Sequence, residues 1–198
     1  MAEILEWPAI LVPNEMSLQM LSNSKIFQSP FSGSSQTASF PGSRWSISVT
    51  FNNRKDRDAR ALEALIAELD GVAGRVRLWD FARGGRAPVG TPIVSVAEQR
   101  GKLLSTRGWL PERLVLQRGD YITVNDELKK VTQDVRSDIS GQAVIRISPQ
   151  LRWPPVAGAP IECRKPTGVF RLSDENQGNF SRVPGIFHSV TLQFVEAF

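Results

Sequence analysis

Residues 74–92 read GRVRLWDFARGGRAPVGTP, and residues 168–174 read GVFRLSD. Both pieces begin on glycine, pass through mixed apolar and basic residues and end on aspartate: Gly74-Arg-Val-Arg-Leu-Trp-Asp80 and Gly168-Val-Phe-Arg-Leu-Ser-Asp174. The first gives way to Arg83, Gly84 and Gly85, and the second follows Pro166. The economical reading is an insertion. A host β-domain, residues 1–83 and 166–198, leaves at the glycine joint and returns at the proline, with an inserted β-domain, residues 84–165, between. VRLWD and FRLSD then become neighbouring strands, with an antiparallel pairing open, whose ends lie close enough to accept an insert at an exposed joint. The likeness of the two flanks is that of two β-strands and does not mark a repeat.

Working outward, RWSISVTF at 44–51 alternates cleanly, with Trp45, Ile47, Val49 and Phe51 on one face, and Val190, Leu192 and Phe194 do the same near the C-terminus. EILEWPAILV at 3–12 reads as an edge strand broken by Pro8. Residues 22–45 are rich in Ser, Gly and Pro, and form either a loop or a loosely specified hairpin with Ile26, Phe27, Phe31 and Phe40 available for contact. One helix is expected over about 56–70. Leu62, Leu65, Ile66 and Leu69 fall at helical spacing, Asn53 and Asp56 are candidate caps, and Gly71 is the stop. Residues 84–165 hold short apolar runs separated by turns such as Arg118-Gly119, Asn125-Asp126 and Ser140-Gly141, the pattern of a small barrel or sandwich. The expected fold is therefore mainly β with one α-helix: a β-sandwich belt domain carrying an inserted small β-barrel or sandwich.

Composition narrows the function classes. A chain of 198 residues with 41% hydrophobic and 22% charged residues is long enough to build a core without metal or disulfide. Cys163 is the only cysteine, so no disulfide forms within the chain, and a buried β position is its ordinary reading. The start, MAEILEWPAILVP, carries acids where a signal peptide needs bases, and no apolar run reaches the length of a membrane span. Folding in the cytosol is expected. The formal net charge is +4, and residues 84–165 hold the whole excess, but as scattered singles and two adjacent pairs, Lys129-Lys130 and Arg164-Lys165. A mixed solvated surface accounts for such a distribution better than a phosphate-binding stripe.

Catalytic chemistry finds little footing. His188 is the only histidine, and it lies in phase with the apolar residues of the last strand, as a structural histidine does. No metal-ligand spacing, phosphate-binding glycine motif or nucleophile elbow is present, so no catalytic, metal or cofactor residues are assigned. Among five tryptophans, Trp7, Trp45 and Trp79 lie on host strands and read as core. Trp109 and Trp153 sit beside Arg and Pro in segments that read as loops, where a protein contact, local packing and a sugar platform all stay open.

RVRLWDFARGG, GWLPERLVLQRGDYITVNDELKKVTQDV, GQAVIRISPQLR and GAPIECRKPTGVFRL, in that order, resemble the distal tail proteins of tailed bacteriophages, over about residues 40–198 and most tellingly over 74–173. The resemblance implies a hexameric ring joining the tail tube to the tail-tip hub. Each subunit would carry a β-sandwich belt with a helix and an outer β-domain. It implies a virion structural protein made in the bacterial host cytoplasm, without catalysis or cofactor. Its partners would be itself, the tail tube protein, the hub and other tail-tip proteins; no membrane is involved, and DNA is only passing cargo. Ile26, Phe27, Phe31, Phe40, Trp109 and Trp153 are the candidate interface residues. The competing readings are a sugar- or nucleic-acid-binding module built on the inserted domain, and a hydrolase using His188.

Overall fold

The computed structural model describes residues 3–182 and 188–197. In chain order the elements are β1 (Ile4–Glu6), β2 (Glu15–Leu21), β3 (Ser24–Gln28), β4 (Ser35–Ser39), β5 (Arg44–Arg54), α1 (Asp56–Leu69), β6 (Arg75–Leu78), β7 (Gly90–Val94), β8 (Gly101–Trp109) and β9 (Leu114–Leu116). There follow β10 (Tyr121–Val124), β11 (Glu127–Val131), β12 (Val135–Arg136), β13 (Ala143–Leu151), β14 (Gly168–Leu172), β15 (Ser181–Arg182) and β16 (His188–Glu196). The protein is mainly β, with one helix among the described residues.

The two opening stretches meet. β6 and β14 pair antiparallel, with Gly168 opposite Leu78 and Phe170 opposite Val76. They are adjacent strands of a seven-stranded sheet ordered β1-β6-β14-β16-β5-β2, with β15 added to β16. β1 lies at one edge, parallel to β6, and ends before Pro8, which has no N–H to give to a ladder. Alternation delivers Trp45, Ile47, Val49 and Phe51 of β5 and Val190, Leu192 and Phe194 of β16 into a single core with Val76, Leu78, Phe170 and Leu172. α1 adds Leu62, Leu65 and Leu69 to that core, so it covers the apolar face of the sheet.

The N-terminal end of α1 differs from expectation, while Gly71 ends it as expected. Lys55, rather than Asn53 or Asp56, occupies the N-cap without any side-chain hydrogen bond. Asp56 and Asp58 instead place negative charge in the first turn, where it opposes the helix dipole. At the other end Asp70 already turns left-handed (φ 46°), Gly71 follows at φ 63°, and Gly74 N–H closes on Leu69 O at 2.8 Å.

Residues 90–151 build a second, five-stranded antiparallel sheet ordered β10-β11-β13-β8-β7, with β9 and β12 paired beside it. Its core holds Val94, Leu104, Val115, Ile122, Val131, Ile145 and Ile147. The segment 159–164 makes only single bridges, Pro160 to Ile93 and Glu162 to Thr123. The two cores are in contact. Tyr121 and Leu128 belong to the first cluster although they lie on β10 and β11, and Trp45 Nε1–H donates to Leu128 O at 2.9 Å. No helix among the described residues is long and apolar enough to cross a membrane.

Candidate functional site

β2 and β5 pair from Glu15↔Thr50 to Leu21↔Arg44, and the same hairpin then runs on as β3 and β4, from Ser24↔Ser39 to Gln28↔Ser35. The break between the two ladders is held by Asn23, whose side-chain amide donates to Pro41 O at 2.7 Å and whose carbonyl accepts Phe40 N–H at 2.8 Å. β3 and β4 form a two-stranded sheet of their own, and every residue of β3 is exposed. The open alternative for residues 22–45 thus resolves as a hairpin arm. The tip turns through Ser29, whose carbonyl and N–H bond Gly33 N–H and Ser34 O.

The apolar residues of this arm point outward. Ile26 is 71% exposed, Phe27 57%, Phe40 45%, and Phe31 at the tip is fully exposed. Ile26 and Phe27 are consecutive on a strand, so they occupy opposite faces of the arm. A hairpin lying on a surface needs apolar side chains on one face only. An isolated two-stranded hairpin in water is marginal at best.

The two loop tryptophans part company. Trp153 is 62% exposed. Trp109, expected in an exposed loop, is instead the last residue of β8; it is 4% exposed, and its Nε1–H donates to Thr106 Oγ1 at 2.7 Å. The reason is Gly108. It reads as a turn residue in sequence, but it continues the strand at φ 87°, where a Cβ would stand 2.3 Å from Thr91 O. Trp109 is therefore a core residue, unavailable to a partner.

Three charged groups, Glu127, Lys129 and Glu196, are buried where the two sheets meet, with Arg152 half-buried among them. Lys129 Nζ lies 2.5 Å from Glu127 Oε2 and 2.9 Å from Gln150 O, with its side chain wholly buried. Glu127 also accepts the backbone N–H groups of Arg152 and Trp153. Arg152 Nη2 donates to Ser43 O at 2.6 Å and to Glu196 Oε2 at 3.0 Å, and that same oxygen accepts Trp45 N–H. Burial pushes the Lys129 ammonium below its ordinary pKa, with the neighbouring Glu127 carboxylate opposing, and pushes the Glu196 carboxyl above its ordinary value against the pull of Arg152. The spacing Glu127-x-Lys129 was the available signal, since on a strand it puts opposite charges on one face.

A cleft of about 360 Å³ opens at the two joints, where Trp79, Phe81 and Tyr121 stand among Arg83, Arg86, Arg118, Arg164 and Lys165. The joints touch directly: a Cβ on Gly85 would stand 2.3 Å from both Cys163 O and Arg164 O. Lys165 Nζ sits 4.0 Å from the Trp79 ring centroid, and the Trp79 and Phe81 rings lie 4.4 Å apart. Charges that are scattered singles along the chain are thus gathered in space. Each flanks a turn, as Arg83-Gly84, Arg118-Gly119 and Lys165-Pro166 show, and that recurrence was legible.

Cys163 is buried, and its thiol is pushed up to about 12 by burial and by the nearby carboxylates of Glu162 and Asp120, which disfavours the thiolate. The register of β16 on β5 shifts between His188 and Val190, and the His188 ring lies outside the described residues. Among the described residues, no group of three or more His, Cys, Asp or Glu is placed to hold a metal ion. No protein family matches the chain, and no curated protein does.

Proposed function

We propose that this chain is a structural subunit of a phage tail, forming a ring at the distal end that joins the tail tube to the tail-tip hub, without catalysis. In this reading residues 1–83 and 166–198 form the ring body and residues 84–165 an inserted outer β-domain. The observation that carries it is the β3–β4 arm, which displays Ile26 and Phe27 on opposite faces and Phe31 at its tip. Covering each such side chain stabilises by ~1.5–3 kcal/mol, so an arm clasped by a neighbour gains on the order of 5 kcal/mol before ordering costs. A heterologous contact of this kind, repeated around an axis that closes, makes a ring. The resemblance to distal tail proteins supplies the place of that ring in the virion.

Native mass spectrometry across concentration tests the reading. The expected species is a six-fold multiple of 21.9 kDa. Deleting residues 24–42 should leave a folded chain that no longer assembles. A ring of unchanged size from the deletion variant would remove the arm from the argument. Wild-type protein that stays monomeric at every concentration, and also when mixed with tail tube and hub proteins, would overturn the ring.

A further inference from the structure

The two ends of β6 carry opposite charge. At its C-terminal end lies the joint cleft, with Arg83, Arg86, Arg118, Arg164 and Lys165 against only Asp80 and Asp120. Arg86 stands 3.9 Å from Asp120 and Lys165 lies over Trp79, whereas the guanidinium groups of Arg83, Arg118 and Arg164 have no partner among the described residues. At the N-terminal end, Glu3, Glu68 and Asp70 surround a second hollow bounded by Ala73 and Gly74, and the backbone of Glu175 passes within 3.5 Å of where a Gly71 Cβ would be. Of the cations at that end, Arg75 is occupied by the carbonyls of Val72, Ala73 and Gly74, and Arg171, next to it on β14, donates to Leu172 O. Four strand residues and their flanks separate the ends, roughly 20 Å at ~3.3 Å per residue.

From this polarity we infer that the acidic end of one copy, Glu3, Glu68 and Asp70, docks into the basic joint cleft of the next. This rests on the ring reading for the identity of the partner, and it gives that ring its direction. Five cations against two carboxylates leave the cleft at +3, whereas the second hollow is lined by the three acids Glu3, Glu68 and Asp70 and by no cation. Opposite surfaces at opposite ends of one strand define a heterologous contact, in which each copy offers one partner surface to each neighbour. Arginine forks suit carboxylates through paired N–H donors. Nucleic acid fits the cleft less well. Lys165 lies over the Trp79 ring and Phe81 packs beside it, which reduces the aromatic surface open to a base, and Asp80 and Asp120 repel a phosphate backbone.

The test is a charge exchange on the full chain. One variant carries Arg118→Glu with Arg164→Glu, the other Glu3→Lys with Glu68→Lys; all four residues are exposed, so both variants should fold, as circular dichroism checks. Each alone is expected to lose self-association by at least about 100-fold, because like charges then face each other. Mixed in equal amounts they should assemble again, since every junction of an alternating ring regains opposite charges. Rings formed by either variant alone at wild-type concentration, or no rescue on mixing, would overturn this contact and leave the ring reading standing. Wild-type protein that stays monomeric at every concentration, and also when mixed with tail tube and hub proteins, would remove both. Binding of a single-stranded thymidine oligonucleotide that is lost in the Arg118→Glu, Arg164→Glu variant would reassign the cleft to nucleic acid and overturn the proposal.

Discussion

The buried pair Glu127–Lys129 should be unequally sensitive to loss of its two members. Replacing Glu127 by Gln leaves the Lys129 ammonium wholly buried, with Gln150 O as its remaining partner. Removing one partner of a buried ion pair costs ~3–5 kcal/mol, because the other charge stays desolvated and unpaired. Replacing Lys129 by Met is milder. Glu127 keeps the N–H groups of Arg152 and Trp153, and the Arg152 guanidinium still acts on it. We expect ~1–2 kcal/mol there, and a double variant within ~1 kcal/mol of wild type, since a neutral, well-packed replacement of both charges is often tolerated. Urea unfolding read by tryptophan fluorescence measures all three, because Trp7 and Trp45 report on one core and Trp109 on the other. With a slope near ~2 kcal/mol/M, Glu127→Gln should lower the midpoint by about 2 M at unchanged slope. The pH dependence gives a second check. Burial lowers the Lys129 pKa below 10.5, so between the folded value and 10.5 the unfolded chain holds the extra proton, and stability rises with pH across that window. Lys129→Met should abolish that rise. If Lys129→Met costs as much as Glu127→Gln, or the double variant stays as weak as the worse single one, the asymmetry argued here is wrong.

Two further perturbations follow from the joint. Gly85→Ala drives a Cβ against the carbonyls of Cys163 and Arg164, and should cost ~1–3 kcal/mol in the same unfolding assay; a neutral outcome would mean that the two joints do not need to touch. The Cys163 thiol, buried and pushed to about 12, should resist an aromatic disulfide reagent at pH 8 in the folded protein and react at the rate of unfolding, so rapid labelling without denaturant would contradict its placement.

Patterns of period two were readable wherever a strand has one wet face. β5 and the end of β16 announced their core residues by strict alternation, and the twin stretches at β6 and β14 proved to be sheet neighbours. The rule fails where a strand is buried on both sides. β11 sends Leu128 into the first core and Val131 into the second, so Glu127 and Lys129 are buried at the seam as a pair, against the usual exposure of such residues. Trp109 was misplaced for another reason. Gly108 reads locally as a turn, and only the close approach of Thr91 O, a contact between distant residues, shows why the strand needs it. The arm stayed ambiguous because its Ser-rich sequence has no face of its own to bury, the condition under which strand register is weakly specified. The joint cleft was hidden by distance along the chain, its cations lying in three separate segments.

The arm and the charged ends would do different work in one assembly. Apolar contact through Ile26, Phe27 and Phe31 is non-directional and supplies affinity, whereas opposite charges at the ends of β6 select orientation and exclude the reversed approach. Neither device alone specifies a closed ring. An apolar arm can be clasped in several registers, and a charged contact alone weakens with salt. Together they fix both strength and direction. The pairing also matters for cargo. If the proposed ring turned this cleft toward a DNA passage, the guanidinium groups of Arg83, Arg118 and Arg164, without a partner among the described residues, would hold phosphates by counterion release. In such a ring, a neighbour's carboxylates seated in the cleft would neutralise that charge. Salt should therefore loosen the assembled ring while leaving the subunit fold largely intact, because the cores and the buried pair are shielded from ions and the charged ends are not.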